Sequence, residues 1–159
     1  MAVEIERKFL ILENKLPILE SGTAIEQGYI PTENGTTVRV RVAGDNGFLC
    51  IKSQAYNFSR HEYEFAIPLA DAREMLNKVC HAQTIEKLRY LVRHQDLIWE
   101  IDSYQGANKG LIVAEVELQS EDQPIQLPEW IDIEVTDDPR YSNYSLALNP
   151  YINWQESTR

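Results

Sequence analysis

The chain is predicted to be a mainly β protein of α+β type, with about eight antiparallel strands forming a single sheet or a closed barrel and a few helices beside them. Three observations carry this. Segments that alternate apolar and charged residues follow one another along most of the chain. Short turns rich in Gly, Asn and Asp, such as "AGDNG", separate several of them. Within the segments the charges come in pairs of like sign.

The first segment, "VEIERKFLI", places Glu4, Glu6 and Lys8 on one strand face and Val3, Ile5, Phe9 and Ile11 on the other. A short helix is expected in "LENKLPILES". "AIEQGYI", "TTVRVRV" and "FLCIKSQ" then read as a meander, and "HEYEFAI" as a further strand ended by Pro68. Pro68 suits a helix start, and Leu69, Ala72, Leu76, Val79 and Cys80 share a helical face over residues 69–80. "TIEKLRYLVRH", a turn at "QD", and "LIWEIDSY" form the next hairpin. "LIVAEVELQ" and "WIDIEVT" are the last strands. Asp138 and Pro139 make an N-cap and first-turn pair for a C-terminal helix whose buried stripe would be Tyr141, Tyr144 and Leu148.

At 159 residues, with no repeat and no linker-like stretch, one domain over residues 1–159 is expected. No apolar run approaches the roughly 20 residues of a membrane span, and no secretory leader is recognisable. Cys50 and Cys80 therefore read as free thiols, and the cytoplasm is the expected compartment. A net charge of −10 argues against a duplex nucleic-acid binder, and an anion could be bound only by gathering the bases in one place. His61, His81 and His94 lack metal-ligand spacing, and no nucleophile–histidine–acid triad or Gly-rich phosphate loop is present.

The period-two rule sorts the charges further. Arg39 pairs with Arg41, Glu62 with Glu64, Lys87 with Arg89, Glu100 with Asp102, Glu115 with Glu117, and Asp132 with Glu134. Lys52 shares a face with Phe48 and Cys50, and Cys50 is equally suited to packing or to that charged face. One reading is a sheet whose charged side meets water. The other is a barrel with its charged faces turned inward on a watery tunnel and its apolar faces outward under helices. Like charges gathered on each strand favour the second, because a solvated surface gains by mixing signs. Carboxylates assembled with Arg and Lys also meet the needs of a divalent metal bound to a polyphosphate.

The motifs bear on this choice. "EIERKFL" resembles the ExExK motif of the triphosphate tunnel metalloenzymes, the CYTH superfamily. "QGYI", "VRVR", Lys52 in "LCIKS", "EYEF", "EKLRY", "WEID", "GLIVAEVEL" and "IEVTDDPRYSNYSLA" resemble its later blocks in order, so the likeness spans essentially the whole chain. It implies an eight-stranded antiparallel β-barrel with a charged interior, binding a triphosphate and one or two divalent ions, Mg²⁺ or Mn²⁺. The compact bacterial tripolyphosphatase-like members resemble it most.

Carried over residue by residue, the likeness marks Glu4, Glu6, Glu115 and Glu117 as metal ligands. Glu62, Glu64, Glu100 and Asp102 would serve a second ion or its waters. It marks Lys8, Arg39, Arg41, Lys52, Lys87 and Arg89 as triphosphate-binding bases, and Lys87 with Tyr29 as the pair that activates water. Arg7 falls on the apolar face and is excluded; Arg93 is marginal. The implied activity is hydrolysis of the terminal phosphate of a triphosphate, inorganic tripolyphosphate first. The alternatives are a class IV adenylate cyclase, a thiamine or nucleoside triphosphatase, and a non-catalytic polyphosphate-binding module. The implied partner is a small-molecule triphosphate, with no nucleic acid and no membrane, and a homodimer is allowed.

Overall fold

In the computed structural model, which describes residues 2–56 and 59–156, alternation has produced nine strands and two α-helices. The strands are β1 (Ala2–Ile11), β2 (Thr23–Ile30), β3 (Thr37–Ala43), β4 (Asn46–Lys52), β5 (Ser59–Ile67), β6 (His81–His94), β7 (Leu97–Tyr104), β8 (Ile112–Glu117) and β9 (Ile131–Glu134). The helices are α1 (Leu69–Lys78) and α2 (Asn143–Leu148). The sheet runs β5-β4-β3-β2-β6-β7-β8-β1, and β1 also pairs with β5, so eight antiparallel strands close a barrel.

Two-residue turns set the register of two hairpins. Gly44 at φ 58° and Gln95 at φ 57° supply the left-handed conformation that turns of this kind require. Closure depends on β1 being longer than its partners. Its first half pairs with β5 through Ala2 to Ile5, and its second half pairs with β8 through Glu6 to Leu10. Past β5, the edge of β1 is taken by β9, through Phe9 and Ile11. β9 thus lies beside the barrel and contributes nothing to its wall around the lumen. Asp132 and Glu134 are accordingly exposed, and they do not join the inward charges.

The apolar sides of the strands face outward and need cover. Val40 and Val42 are buried beneath Ala72 and Leu76 of α1, which approaches so closely that a Cβ on Gly47 would lie 2.8 Å from that of Ala72. Over β1, β7 and β8, Phe9, Trp99, Ile101 and Val116 are covered by irregular chain, with Leu16, Leu19, Ile125 and Trp130 packing against them. The helix expected in "LENKLPILES" contracts to one 3-10 turn at Glu13–Lys15, because Pro17 follows within two residues and cannot donate to a helix.

At one barrel end the last inward positions are themselves apolar. Ile85, Tyr104 and Val113 pack under Leu146, Ala147 and Trp154 of the C-terminal segment. This corrects the expected stripe: Tyr144 and Leu148 are exposed, and Leu146 and Ala147 are buried. The cause is a shift of the cap. Asp138 accepts from the Arg140 backbone and starts a 3-10 turn, and Ser142 then accepts from the Ser145 backbone and starts α2 in a new phase. On α1, Val79 is likewise exposed, because the helix ends at Lys78. Among the described residues, no helix is long and apolar enough to cross a membrane.

Candidate active site

The inward faces enclose a cavity of about 420 Å³ lined by Glu4, Glu6, Arg39, Lys52, Arg89 and Glu115, among others. Glu62, Glu64, Glu100, Glu117 and Arg41 also line it. Lys8, Lys87 and Asp102 project the same way deeper in the wall, where ion pairs join them to one another's neighbours. Every charged position sorted inward on β1 and on β3 to β8 therefore does face the lumen. Cys50 does so too, because its sulfur and the carboxylates of Glu62 and Glu64 lie within 4.8 Å of one another. Arg7 points out, where its guanidinium grips Glu134 at 2.7 and 2.9 Å. Arg93 is exposed beyond the lumen.

The acids form two linked groups. Glu6 and Glu115, and Glu4 and Glu62, line one cavity closely enough that each pair's charges act on one another. Two carboxyls so placed cannot both be ionised without repulsion. Burial, followed by the charges of Glu115 and Glu4, pushes Glu6 well above its ordinary value. Burial and Glu4 also raise Glu62. Glu115 goes the other way: burial would raise it, but Lys8, Arg89 and Lys87 hold it far down. Lys52 reaches Glu4 at 2.9 Å and Glu62 at 3.8 Å. Arg60, on the same face of β5, stands 3.8 Å from Glu4.

Asp102 anchors the opposite wall. Its Oδ2 meets Lys87 Nζ at 2.9 Å, and its two oxygens accept the Arg89 fork at 2.8 and 2.9 Å. The side chains of Lys87 and Asp102 are 0% exposed. Both carboxylate oxygens are thus engaged by cations, whereas Glu115 meets a cation at one oxygen, Oε1, 3.5 Å from Lys8 Nζ. Burial, with Arg89 and Arg41 nearby, brings Lys87 down to about 7 despite Asp102. Arg89 is raised, because Asp102 and Glu100 outweigh its burial. Arg41 falls to about 10 through burial and the proximity of Arg39 and Arg89. Arg39 bonds Glu64 at 3.2 Å, yet its Nε is buried and has no acceptor among the described residues.

Lys87 and Tyr29 are not joined by a hydrogen bond among the described residues. The Tyr29 hydroxyl accepts from Gln27 at 2.8 Å, and Gln27 accepts from Arg41 at 3.0 and 3.1 Å. Lys87 is instead near Tyr104, its ammonium 5.5 Å from the ring centroid, and Asn143, whose Oδ1 lies 3.4 Å from Nζ. Gln27, Arg60, Tyr104 and Asn143 are lumen residues that charge pairing did not single out. The same strand parity contained the first three, since Gln27 alternates with Tyr29, Arg60 with Glu62, and Tyr104 with Asp102. Asn143 comes from a helix end, and strand periodicity carries no signal for it.

The CYTH domain family matches residues 2–146. An inorganic triphosphatase of Acetivibrio thermocellus is 43% identical over 156 residues, covering 98% of this chain and all of that protein. Another, from Nitrosomonas europaea, is 37% identical over 150 residues, covering 92% of this chain and 97% of its own. A crystal structure of an inorganic triphosphatase superposes with a TM-score of 0.66 at 36% identity, over 93% of this chain and 96% of that one.

Proposed function

The chain belongs to the CYTH domain family, and on that footing we propose that it is a divalent-metal-dependent inorganic triphosphatase that removes the terminal phosphate of tripolyphosphate, with the whole site on one domain. The observation that carries this reading is the opposition inside one lumen of clustered carboxyl groups and a wall of bases. Glu6, Glu115, Glu4 and Glu62 present hard oxygen donors to one cavity, which is the donor chemistry of Mg²⁺ or Mn²⁺. A divalent cation would offset the charge of these carboxyls, with Glu117 beside the cluster. It would polarise phosphate oxygens and acidify a water.

The remaining steps belong to the side chains. Lys8, Arg39, Arg41, Lys52 and Arg89 offset the charge of the polyanion, and the unpaired buried Nε of Arg39 is ready for a phosphate oxygen. Lys87, brought down to about 7, takes the proton of the attacking water from a position fixed by Asp102. Tyr29 orders Gln27 and through it Arg41, so it positions a base rather than sharing a proton with Lys87. Asp102 is a positioning residue and not a metal ligand. Phosphoryl transfer asks for this kind of placement and charge stabilisation more than for a covalent nucleophile.

The test is a panel of tripolyphosphate, ATP and thiamine triphosphate with Mg²⁺ or Mn²⁺, assayed for orthophosphate and for cyclic AMP. Tripolyphosphate is expected to be the fastest substrate, with orthophosphate as product and no turnover in EDTA. Cyclic AMP as the main product would replace the hydrolase by a cyclase, and binding without turnover would leave a polyphosphate-binding module. A second measurement addresses the bases. Arg39→Ala is expected to raise KM for tripolyphosphate about tenfold or more, since a hydrogen bond to a charged group contributes about 1.5–3 kcal/mol. An unchanged KM would remove Arg39 from the binding set.

A further inference from the structure

Asn143 opens α2 at the inner end of the lumen, and its amide is oriented by two donors. Lys87 Nζ faces it at 3.4 Å and the Tyr104 hydroxyl at 2.6 Å, both at Oδ1. In the resting site, where Lys87 is ion-paired with Asp102, its ammonium has hydrogens and no lone pair, so the amide atom turned toward it is the oxygen. With that oxygen taken, the two Nδ2 hydrogens point along the other limb of the amide. Among the described residues nothing accepts from them.

The residue is also firmly held. Ser142 caps the helix through the Ser145 backbone at 3.1 Å, and Leu146 and Ala147 are buried directly behind. Asn143 borders both the central cavity and an adjoining one of about 260 Å³ that reaches Tyr29 and Lys8. A fixed neutral donor beside Lys87, on a residue that lines a polar cavity, suits an anionic oxygen and offers nothing to a cation.

We infer that Asn143 is a substrate-binding residue, its Nδ2 donating to a non-bridging oxygen of the phosphate group seated beside Lys87, with Tyr104 setting the direction of that donor. The inference rests on the triphosphatase reading and adds to it a contact from outside the barrel wall. A neutral donor contributes direction more than attraction, so it selects the pose in which the phosphate lies against Lys87.

The test compares Asn143→Ala, Asn143→Asp and Tyr104→Phe in the full chain, with Mg²⁺ and tripolyphosphate. Asn143→Asp keeps the shape and the acceptor toward Lys87 and Tyr104, and it replaces the inward donor by an anion. It is expected to raise KM more than Asn143→Ala does, with Ala about tenfold above wild type. Tyr104→Phe should raise KM several-fold in the wild-type background and have little further effect when combined with Asn143→Ala. The rise in Tm that tripolyphosphate produces should shrink in the same order, with the ligand-free Tm of Asn143→Asp near wild type.

Wild-type KM and an undiminished ligand-induced Tm shift in Asn143→Asp would overturn the inference. So would additive effects of Tyr104→Phe and Asn143→Ala. Absence of both tripolyphosphate binding and turnover in the wild type would instead overturn the triphosphatase reading, and the two failures are separate results. If Asn143→Ala does not fold, the isosteric Asn143→Asp still decides the matter.

Discussion

Glu6→Gln is expected to abolish most of the metal-dependent phosphate release, by about a hundredfold or more, and to leave the metal-free protein at least as stable as the wild type. The two halves have one cause. Glu6 is half-buried in the lumen near Glu115 and Glu4, and desolvation with those charges pushes its carboxyl well above its ordinary value. A carboxyl raised in this way binds a proton on folding. The cost of that uptake is absent below the unfolded pKa and grows as pH rises toward the folded one. Glutamine is neutral and needs no proton, so in EDTA the variant's Tm should equal or exceed wild type at neutral pH. The difference should close as pH falls into the ordinary carboxylate range.

Activity moves the other way because a neutral amide is a poor ligand for Mg²⁺ or Mn²⁺. Charge stabilisation by a metal in phosphoryl transfer is worth several kcal/mol, and about 1.4 kcal/mol is tenfold in rate. Greater stability together with lost turnover identifies a residue kept for chemistry at the expense of the fold. A variant that is both inactive and much less stable would place Glu6 in the structure and outside the metal set. Near-normal turnover would remove the metal assignment altogether.

Most of the lumen was legible because strand parity is a strict rule. Once Glu4 is inside, Glu6 and Lys8 must be, and the same holds for Arg39 with Arg41 and Lys87 with Arg89. Parity does not say which alternating strand belongs to the barrel. β9 alternates as cleanly as the rest, yet it pairs with β1 only where β5 has already ended, so Asp132 and Glu134 lie outside. Parity also does not distinguish a carboxylate that can take a cation from one already saturated. Glu100 and Asp102 look alike in "WEID", and what separates them is depth. Glu100 has one arginine contact and lines the open cavity, whereas Asp102 is enclosed between Lys87 and Arg89. The C-terminal helix was misphased for a local reason, since two consecutive caps, at Asp138 and Ser142, compete for one helix start. Asn143 has no signal in strand parity, because it stands at the start of α2 and on no strand.

That difference in depth makes Asp102 the most sensitive position for the fold. Asp102→Ala is expected to destabilise the protein by about 3–5 kcal/mol, because removing one partner of a buried ion pair leaves the other charge uncompensated. Here the orphaned charge would be Arg89, whose guanidinium uses both Asp102 oxygens, while the enclosed Lys87 would lose the partner that favours its charged form. For a chain of this length the loss corresponds to a fall in Tm on the order of 10 °C. The sign with pH follows from Asp102 itself. Burial pushes it up, but Lys87 and Arg89 hold it below its ordinary value, so its contribution is present at neutral pH and fades as the solution is acidified through the carboxylate range. The wild-type advantage over Asp102→Ala should narrow accordingly in acid.

Asp102→Asn separates positioning from ligation. An amide keeps an acceptor for one cation and loses the second, so stability falls less than with alanine and kcat falls with the misplacement of Lys87. Divalent-cation affinity, measured by Mn²⁺ titration, should be unchanged, because neither Asp102 oxygen is available to an ion in the wild type. A Mn²⁺ affinity lowered tenfold or more by Asp102→Asn would return Asp102 to the ligand set and require the Lys87 and Arg89 pair to open when metal binds.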